Sequence, residues 1–190
     1  MYELQSEAEL ASSDAAVTPR QLGLWAFLAT VTMLFAGFTS AILVRRTAAD
    51  WPMLPLPSLL WVNSVVLLVS SVAMEAVRRA SRQDQCREVR RWLIVVVALG
   101  AVFLIGQLGA WRQLAAQGVF LPSNPHSSFF YILTGVHGVH LLGGIVGLFY
   151  LVVATSRRMS APLSTVNLFA TYWHFVGGLW VYLFVVLFVL

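Results

Sequence analysis

The chain has 190 residues, of which 59% are hydrophobic and only 11% charged. A soluble domain usually carries about 25% charged residues, and the mean hydropathy of +0.80 points the same way. An ordinary soluble domain and a disordered chain are therefore excluded, and a single cysteine, Cys86, excludes a disulfide framework. The pI is near 9.8, but all 12 cationic side chains are arginines lying between long apolar stretches. That pattern is membrane topology rather than a nucleic-acid footprint, and no nucleic-acid partner is expected.

Residues 1–19 are polar and acidic, with Glu3, Glu7, Glu9 and Asp14. They lack the basic start and small-residue cleavage site of a signal peptide, so a flexible tail followed by an uncleaved anchor is expected. A hydrocarbon core about 30 Å thick needs roughly 20 apolar helical residues. The first such stretch covers residues 21–44. The second is free of charge from Trp51, but Pro52, Pro55 and Pro57 move its helix to about 58–77. The third covers about 92–112. Residues 113–128 include Gly118, Pro122, Ser123, Asn124 and Pro125 and read as a loop, with His126 inside it. The fourth helix is expected over 129–155, a short turn at Arg157, Arg158 and Pro162, and the fifth helix over 166–190. The expected fold is an all-α integral membrane protein, a bundle of five transmembrane helices filling residues 20–190.

Arginine counting sets the orientation. Arg20, the six arginines from Arg78 to Arg91, and Arg157 with Arg158 put nine on the side of the N-terminus. The other side holds three: Arg45, Arg46 and Arg112. The N-terminus is expected in the cytoplasm and the C-terminus outside, in a bacterial inner membrane.

Polar groups inside spans are costly and therefore informative. They are Asn63, Glu75, Gln107, His137, His140, Asn167 and His174. His137 and His140 are three apart, which places them on one helix face, and His174 is on the next helix. Three histidines are a possible metal set, but packing imidazoles are the favoured reading. Glu75 has Arg79 at i+4, a spacing that supports an interfacial ion pair. Asn63 and Gln107 read as interhelical hydrogen-bonding groups. Gly143 and Gly147 form a GxxxG step, and Ser70 with Ser71 offers a second site of close helix approach. Trp25, Trp61, Trp92, Trp111, Trp173 and Trp180 read as interface anchors. Tyr172, Phe175, Tyr182, Phe184 and Phe188 read as facing lipid. No polar stripe crosses any helix, which argues against a transporter or channel.

Several segments together resemble subunit III of haem-copper respiratory oxidases. Tyr172-Trp173-His174-Phe175-Val176, followed by Trp180, resembles the family's YWHFVD…W pattern near the chain end. Thr134 to His140 (TGVHGVH) resembles its TGxHGxH. Leu60-Trp61-Val62-Asn63-Ser64 with Val65 to Ser71, Trp25 to Leu28, Met33 to Phe35, and Ser123-Asn124-Pro125 before Phe129-Phe130-Tyr131 are similar to further family segments. The likeness runs from about residue 20 to 190 and matches the shorter, five-helix bacterial form.

The resemblance implies a non-redox accessory subunit of an aerobic oxidase that reduces oxygen to water and pumps protons. It implies contact mainly with subunit I, contact with subunit II or other oxidase or supercomplex subunits, and phospholipid held in a V-shaped cleft. No cofactor is expected in this chain; haems and copper belong to partner subunits. His137, His140, His174, Glu75, Arg79, Asn63, Gln107, Trp173, Gly143 and Gly147 are the lipid-contact and packing candidates. Two positions depart from the pattern. Val31 stands where the family usually has a membrane-embedded Glu, and Gly177 where it has Asp after WHFV. Roles resting on those carboxylates are not carried over. Two alternatives remain open: a subunit-III-like companion of nitric oxide reductase, and a haem-binding membrane cytochrome using His137, His140 and His174.

Overall fold

A computed structural model describes residues 18–47, 57–158 and 162–189. Nearly all of the acidic tail, Pro52 and Pro55, and the middle of the turn before Pro162 lie outside the described residues. Among the described residues five helices follow one another: α1 Pro19–Arg45, α2 Leu59–Arg82, α3 Cys86–Ala116, α4 Pro125–Arg158 and α5 Leu163–Val189. All five are long and apolar enough to cross a membrane.

Most helices are longer than charge-free stretches suggest, and the starts of α1 and α4 are fixed by caps and not by hydropathy. Thr18 caps α1 reciprocally with Gln21, and Pro19 occupies the first helical position. α4 begins four residues before the predicted start. Asn124 Oδ1 accepts from Ser127 N at 2.7 Å, Ser127 Oγ accepts from Asn124 N at 3.2 Å, and Pro125 is the first helical residue. His126, expected in a loop, is therefore buried in the first turn of α4. At the other end α4 runs through Arg157 and Arg158. α3 takes Arg87, Arg90 and Arg91 into its first turns, since arginine is a good helix former and its charge sits beyond the apolar segment.

α2, α3, α4 and α5 form a closed ring in which each helix packs on the next and α5 returns to α2. The α2–α3 contact is the most extensive. α1 stands outside the ring, in the groove between α4 and α5, and touches neither α2 nor α3 among the described residues.

The buried positions explain the arrangement. On α3 they are Val89, Leu93, Val96, Gly100, Phe103, Gln107, Ala110 and Leu114. The steps alternate four and three, a heptad spacing, which favours left-handed side-by-side packing. α2 keeps the same rhythm through Leu60, Asn63, Leu67, Ser70, Met74, Val77 and Ser81. So does α4, through Ser127, Phe130, Thr134, His137, Leu141, Gly144, Leu148, Leu151 and Thr155. The seams are less apolar than the lipid-facing sides, as expected when both environments are hydrocarbon and close packing drives association.

Glycine position matters at a few crossings. A Cβ on Gly147 would lie 2.6 Å from the Phe169 ring, and one on Gly144 would lie 3.0 Å from Tyr172. A Cβ on Gly143 meets nothing within 4 Å. The close approach of α4 and α5 therefore uses Gly144 with Gly147, and the predicted Gly143–Gly147 step is out of register by one residue. Gly100 performs the same service on α3, where a Cβ would lie 2.9 Å from Trp173.

Candidate functional site

The tryptophans correct one expectation. Trp25 and Trp61 are exposed, as anchors should be, but Trp173 and Trp180 are each only 1% exposed. Their positions on the α5 seam turn them into the ring. Trp173 Nε1 donates to Ser70 Oγ at 2.9 Å, and Trp180 Nε1 donates to Ser64 Oγ at 3.0 Å. Both bonds join α5 to α2. Trp111 Nε1 likewise donates to Thr134 Oγ1 at 3.1 Å, joining α3 to α4. Thr134 and Ser64 pass their own hydrogens to the carbonyls of Phe130 and Leu60. Each of these two hydroxyls is thus fixed by its helix and presents an acceptor to an indole. The aromatic run of α5 does not simply face lipid. Tyr172 donates to His140 O at 2.8 Å, and Tyr182 donates to Thr39 Oγ1 at 2.8 Å, which ties α1 to α5.

Glu75 lies toward the end of α2. Its predicted partner was Arg79, but Arg79 points outward and is exposed. Arg78 takes the role. Arg78 Nη1 donates to Glu75 Oε1 at 2.8 Å, and Arg78 Nε donates to Asn167 Oδ1 at 3.2 Å. His174 Nε2 also meets Glu75 Oε1 at 2.8 Å, a contact in which the ring nitrogen donates to the carboxylate. The i+3 residue wins because it lies on the side of α2 that faces α5, where Asn167 and His174 add acceptor and donor. The cluster joins α2 to α5, with Glu75 still 42% exposed.

The three histidines go to three different places. His137 is fully buried, its ring 5.8 Å from that of Phe103 and 5.1 Å from that of Trp180. His140 faces α1, with ring centroids 6.2 Å from Phe27 and 6.0 Å from Phe35, and its Nδ1 bonds Val136 O at 2.8 Å. A spacing of three turns side chains about 60° apart around a helix, enough here to send the pair into separate interfaces. His174 belongs to Glu75. Asn63 reaches across to Phe103 O at a long 3.5 Å. Gln107, predicted to bond between helices, has neither amide atom partnered among the described residues.

Open grooves flank α1. One of about 750 Å³ lies between α1 and the start of α4, lined by Gly37, Ser40, Ala41, Arg45, Pro125 and Phe129 among others. Another of about 460 Å³ lies between α1 and α5, lined by Thr32, Phe35, Ala36, Phe175, Gly178, Leu179 and Tyr182. Both are overwhelmingly apolar, and Arg45 supplies a cation at the mouth of the first. The two departures from the family pattern lie in packed surroundings. Val31 is 4% exposed in the core, and a Cβ on Gly177 would lie 3.1 Å from Ser71 Oγ.

Helices that can cross a membrane, joined pairwise by buried polar links and bordered by apolar grooves, define a multi-pass helical membrane protein. The family model for cytochrome c oxidase subunit III matches residues 18–190, and the chain belongs to that family. It is 35% identical over 179 residues to "Cytochrome c oxidase subunit 3" of Thermostichus vulcanus, covering 90% of this chain and 87% of that one. It is 30% identical over 174 residues to "Probable cytochrome c oxidase subunit 3" of Mycobacterium bovis, covering 88% and 86%. A Synechocystis protein named "Cytochrome c oxidase subunit 3" is 32% identical over 181 residues, covering 90% and 76%.

Sequence reasoning missed Arg78 as the partner of Glu75, the acceptor roles of Ser64 and Thr134, and the link between Tyr182 and Thr39. Seam spacing was the available signal for Thr134, which lies on the buried rhythm of α4. Once Ser70 is placed on the heptad of α2, Trp173 falls opposite it, while Ser64, the partner of Trp180, flanks that seam.

Proposed function

We propose that this chain is the non-redox subunit III of an aerobic haem-copper oxidase in a bacterial inner membrane. It packs against the catalytic subunit I, helps keep that subunit competent while it reduces oxygen and pumps protons, and holds phospholipid beside α1. The haems and copper reside in partner subunits. The family match across residues 18–190 carries this reading. The two apolar grooves, one with Arg45 at its mouth, support lipid binding, because acyl chains need apolar walls and a headgroup phosphate needs a cation. The nine-to-three arginine distribution supports a cytoplasmic N-terminus.

Purification through an affinity tag on this chain tests the proposal. The expected product is a complex with oxidase subunits I and II, oxygen-consuming activity and co-purifying phospholipid. Deleting the gene should leave an oxidase that loses activity faster during turnover. Recovery of a nitric oxide reductase catalytic subunit instead would overturn the assignment. So would a Soret band on the isolated chain that disappears when His137, His140 or His174 is replaced by alanine.

A further inference from the structure

Asn63, Gln107 and His137 come from three helices of the ring and are all buried in its interior. On α3, Phe103, Gln107 and Trp111 follow at intervals of about one turn. Trp111 is fixed opposite Thr134 by its indole bond of 3.1 Å. Phe103 is fixed opposite His137 by a ring contact of 5.8 Å. Gln107 lies between them on α3, at a height between those of His137 and Thr134. From α2, Asn63 Nδ2 reaches Phe103 O at 3.5 Å, and its carboxamide presses on Gly106, where a Cβ would overlap it. Trp180 of α5 closes the fourth side, with its indole hydrogen already given to Ser64.

This layer is buried but not satisfied. Gln107 is 3% exposed and His137 is 0% exposed. Nε2 and Oε1 of Gln107 and both ring nitrogens of His137 have no hydrogen-bond partner among the described residues. His140, three residues on, shows the local solution that His137 does not use, a bond from Nδ1 to the carbonyl one turn back. Buried polar atoms without partners are rare and costly, more so inside a bilayer, where no bulk solvent reaches them. A direct bond between Gln107 and His137 would satisfy one atom of each and leave the other two stranded. The four atoms also mix donors and acceptors: a neutral imidazole brings one of each, and a carboxamide brings both kinds. A water molecule carries two donors and two acceptors and typically makes about three bonds when buried.

We infer that the ring of α2–α5 contains an internal water site between the Gln107 carboxamide and a ring nitrogen of His137, with the Asn63 carboxamide at its side. The ligand is neutral water. Its bonds fix the imidazole tautomer and hold α3 and α4 in register at this level. The site is separate from the grooves beside α1 and does not depend on the chain's role in an oxidase.

High-resolution electron cryomicroscopy of the purified native complex tests this directly. The expected result is a discrete solvent peak at about 2.7–3.2 Å from a Gln107 amide atom and from a His137 ring nitrogen. Density showing Gln107 bonded straight to His137, or apolar atoms filling the space between them, overturns it. Infrared difference spectroscopy gives a second readout. Exchange into water labelled with heavy oxygen should shift a sharp O–H band in the native complex, and Gln107→Leu should abolish that band. A native complex with no such shift refutes the site, as does a band that survives in both Gln107→Leu and His137→Phe.

Discussion

Ser70→Ala removes one hydroxyl and leaves the rest of the ring in place. Ser70 is 0% exposed, and its oxygen accepts the indole hydrogen of Trp173, itself 1% exposed, at 2.9 Å. The substitution strands an N–H in a water-free interior. Interhelical hydrogen bonds in bilayers average about 0.6 kcal/mol and reach about 1.7, while a stranded buried donor costs about 1–3 kcal/mol. The expected loss is therefore about 1–2 kcal/mol, or about a 5–30-fold shift in the folding equilibrium. Trp173→Phe removes the donor and also the ring edge that packs on Gly100, so it should cost more, about 2–3 kcal/mol. The double variant should cost less than the two losses added, with a coupling of about 1 kcal/mol. Steric-trap unfolding in bicelles measures each corner of the cycle. Ser71→Ala, one residue along and without an indole on its hydroxyl, should change stability by less than about 0.5 kcal/mol. Single losses that simply add, within about 0.3 kcal/mol, would show that the indole–serine link does not hold α5 to α2.

Gly147→Ala should reduce the yield of assembled complex, because its Cβ would lie 2.6 Å from Phe169 and that strain is worth about 1–3 kcal/mol; Gly143→Ala should be silent in the same assay. Arg78→Ala should lower thermal stability by about 0.5–1 kcal/mol, since the half-exposed pair is solvent-screened, while Arg79→Ala should leave the melting point unchanged. Equal effects would restore the i+4 pairing. Val31→Glu should cost about 2.5–3.5 kcal/mol as a charge among apolar neighbours, whereas Gly177→Asp should cost about 1 kcal/mol less because the Ser71 hydroxyl is within reach; quantitative mass spectrometry of the chain retained in the complex ranks them. Cys86, at the start of α3, should react with membrane-permeant thiol reagents in intact cells and not with impermeant ones. Impermeant labelling would invert the topology.

Hydropathy located five spans because crossing a bilayer is a one-dimensional requirement, and the sequence meets it with long charge-free runs. Their ends were less legible. Asn124, Pro125 and Ser127 carry turn chemistry that serves equally as a loop or as a helix cap, and the cap prevailed. Which side of each helix faces inward was harder still. In water an apolar stripe marks the buried face, but here Ile105 on the lipid side and Phe103 on the seam are equally apolar. The distinguishing residues are the small and polar ones: Ser70, Gly100, Thr134, His137 and Gly144. Their 3–4 rhythm was present in the sequence and became readable only when all of them were aligned. Glu75 shows the same limit. Spacing along one helix allowed two partners, and the choice of Arg78 came from Asn167 and His174 on another helix.

The placement of α1 outside the ring has a consequence for biogenesis. α1 leaves the ribosome ahead of the other four helices, yet its only described neighbours are α4 and α5, which are made after α2 and α3. α2 and α3 can pair early, but α2 also needs α5 through the bonds of Ser64 and Ser70 to Trp180 and Trp173. Until α4 enters the bilayer α1 has no partner, and until α5 enters the groove that holds α1 is incomplete and the core is open along one side. The fold therefore closes in a single late event, and a ribosome that stalls before α5 leaves a membrane-inserted but unassembled set of helices for quality control to remove.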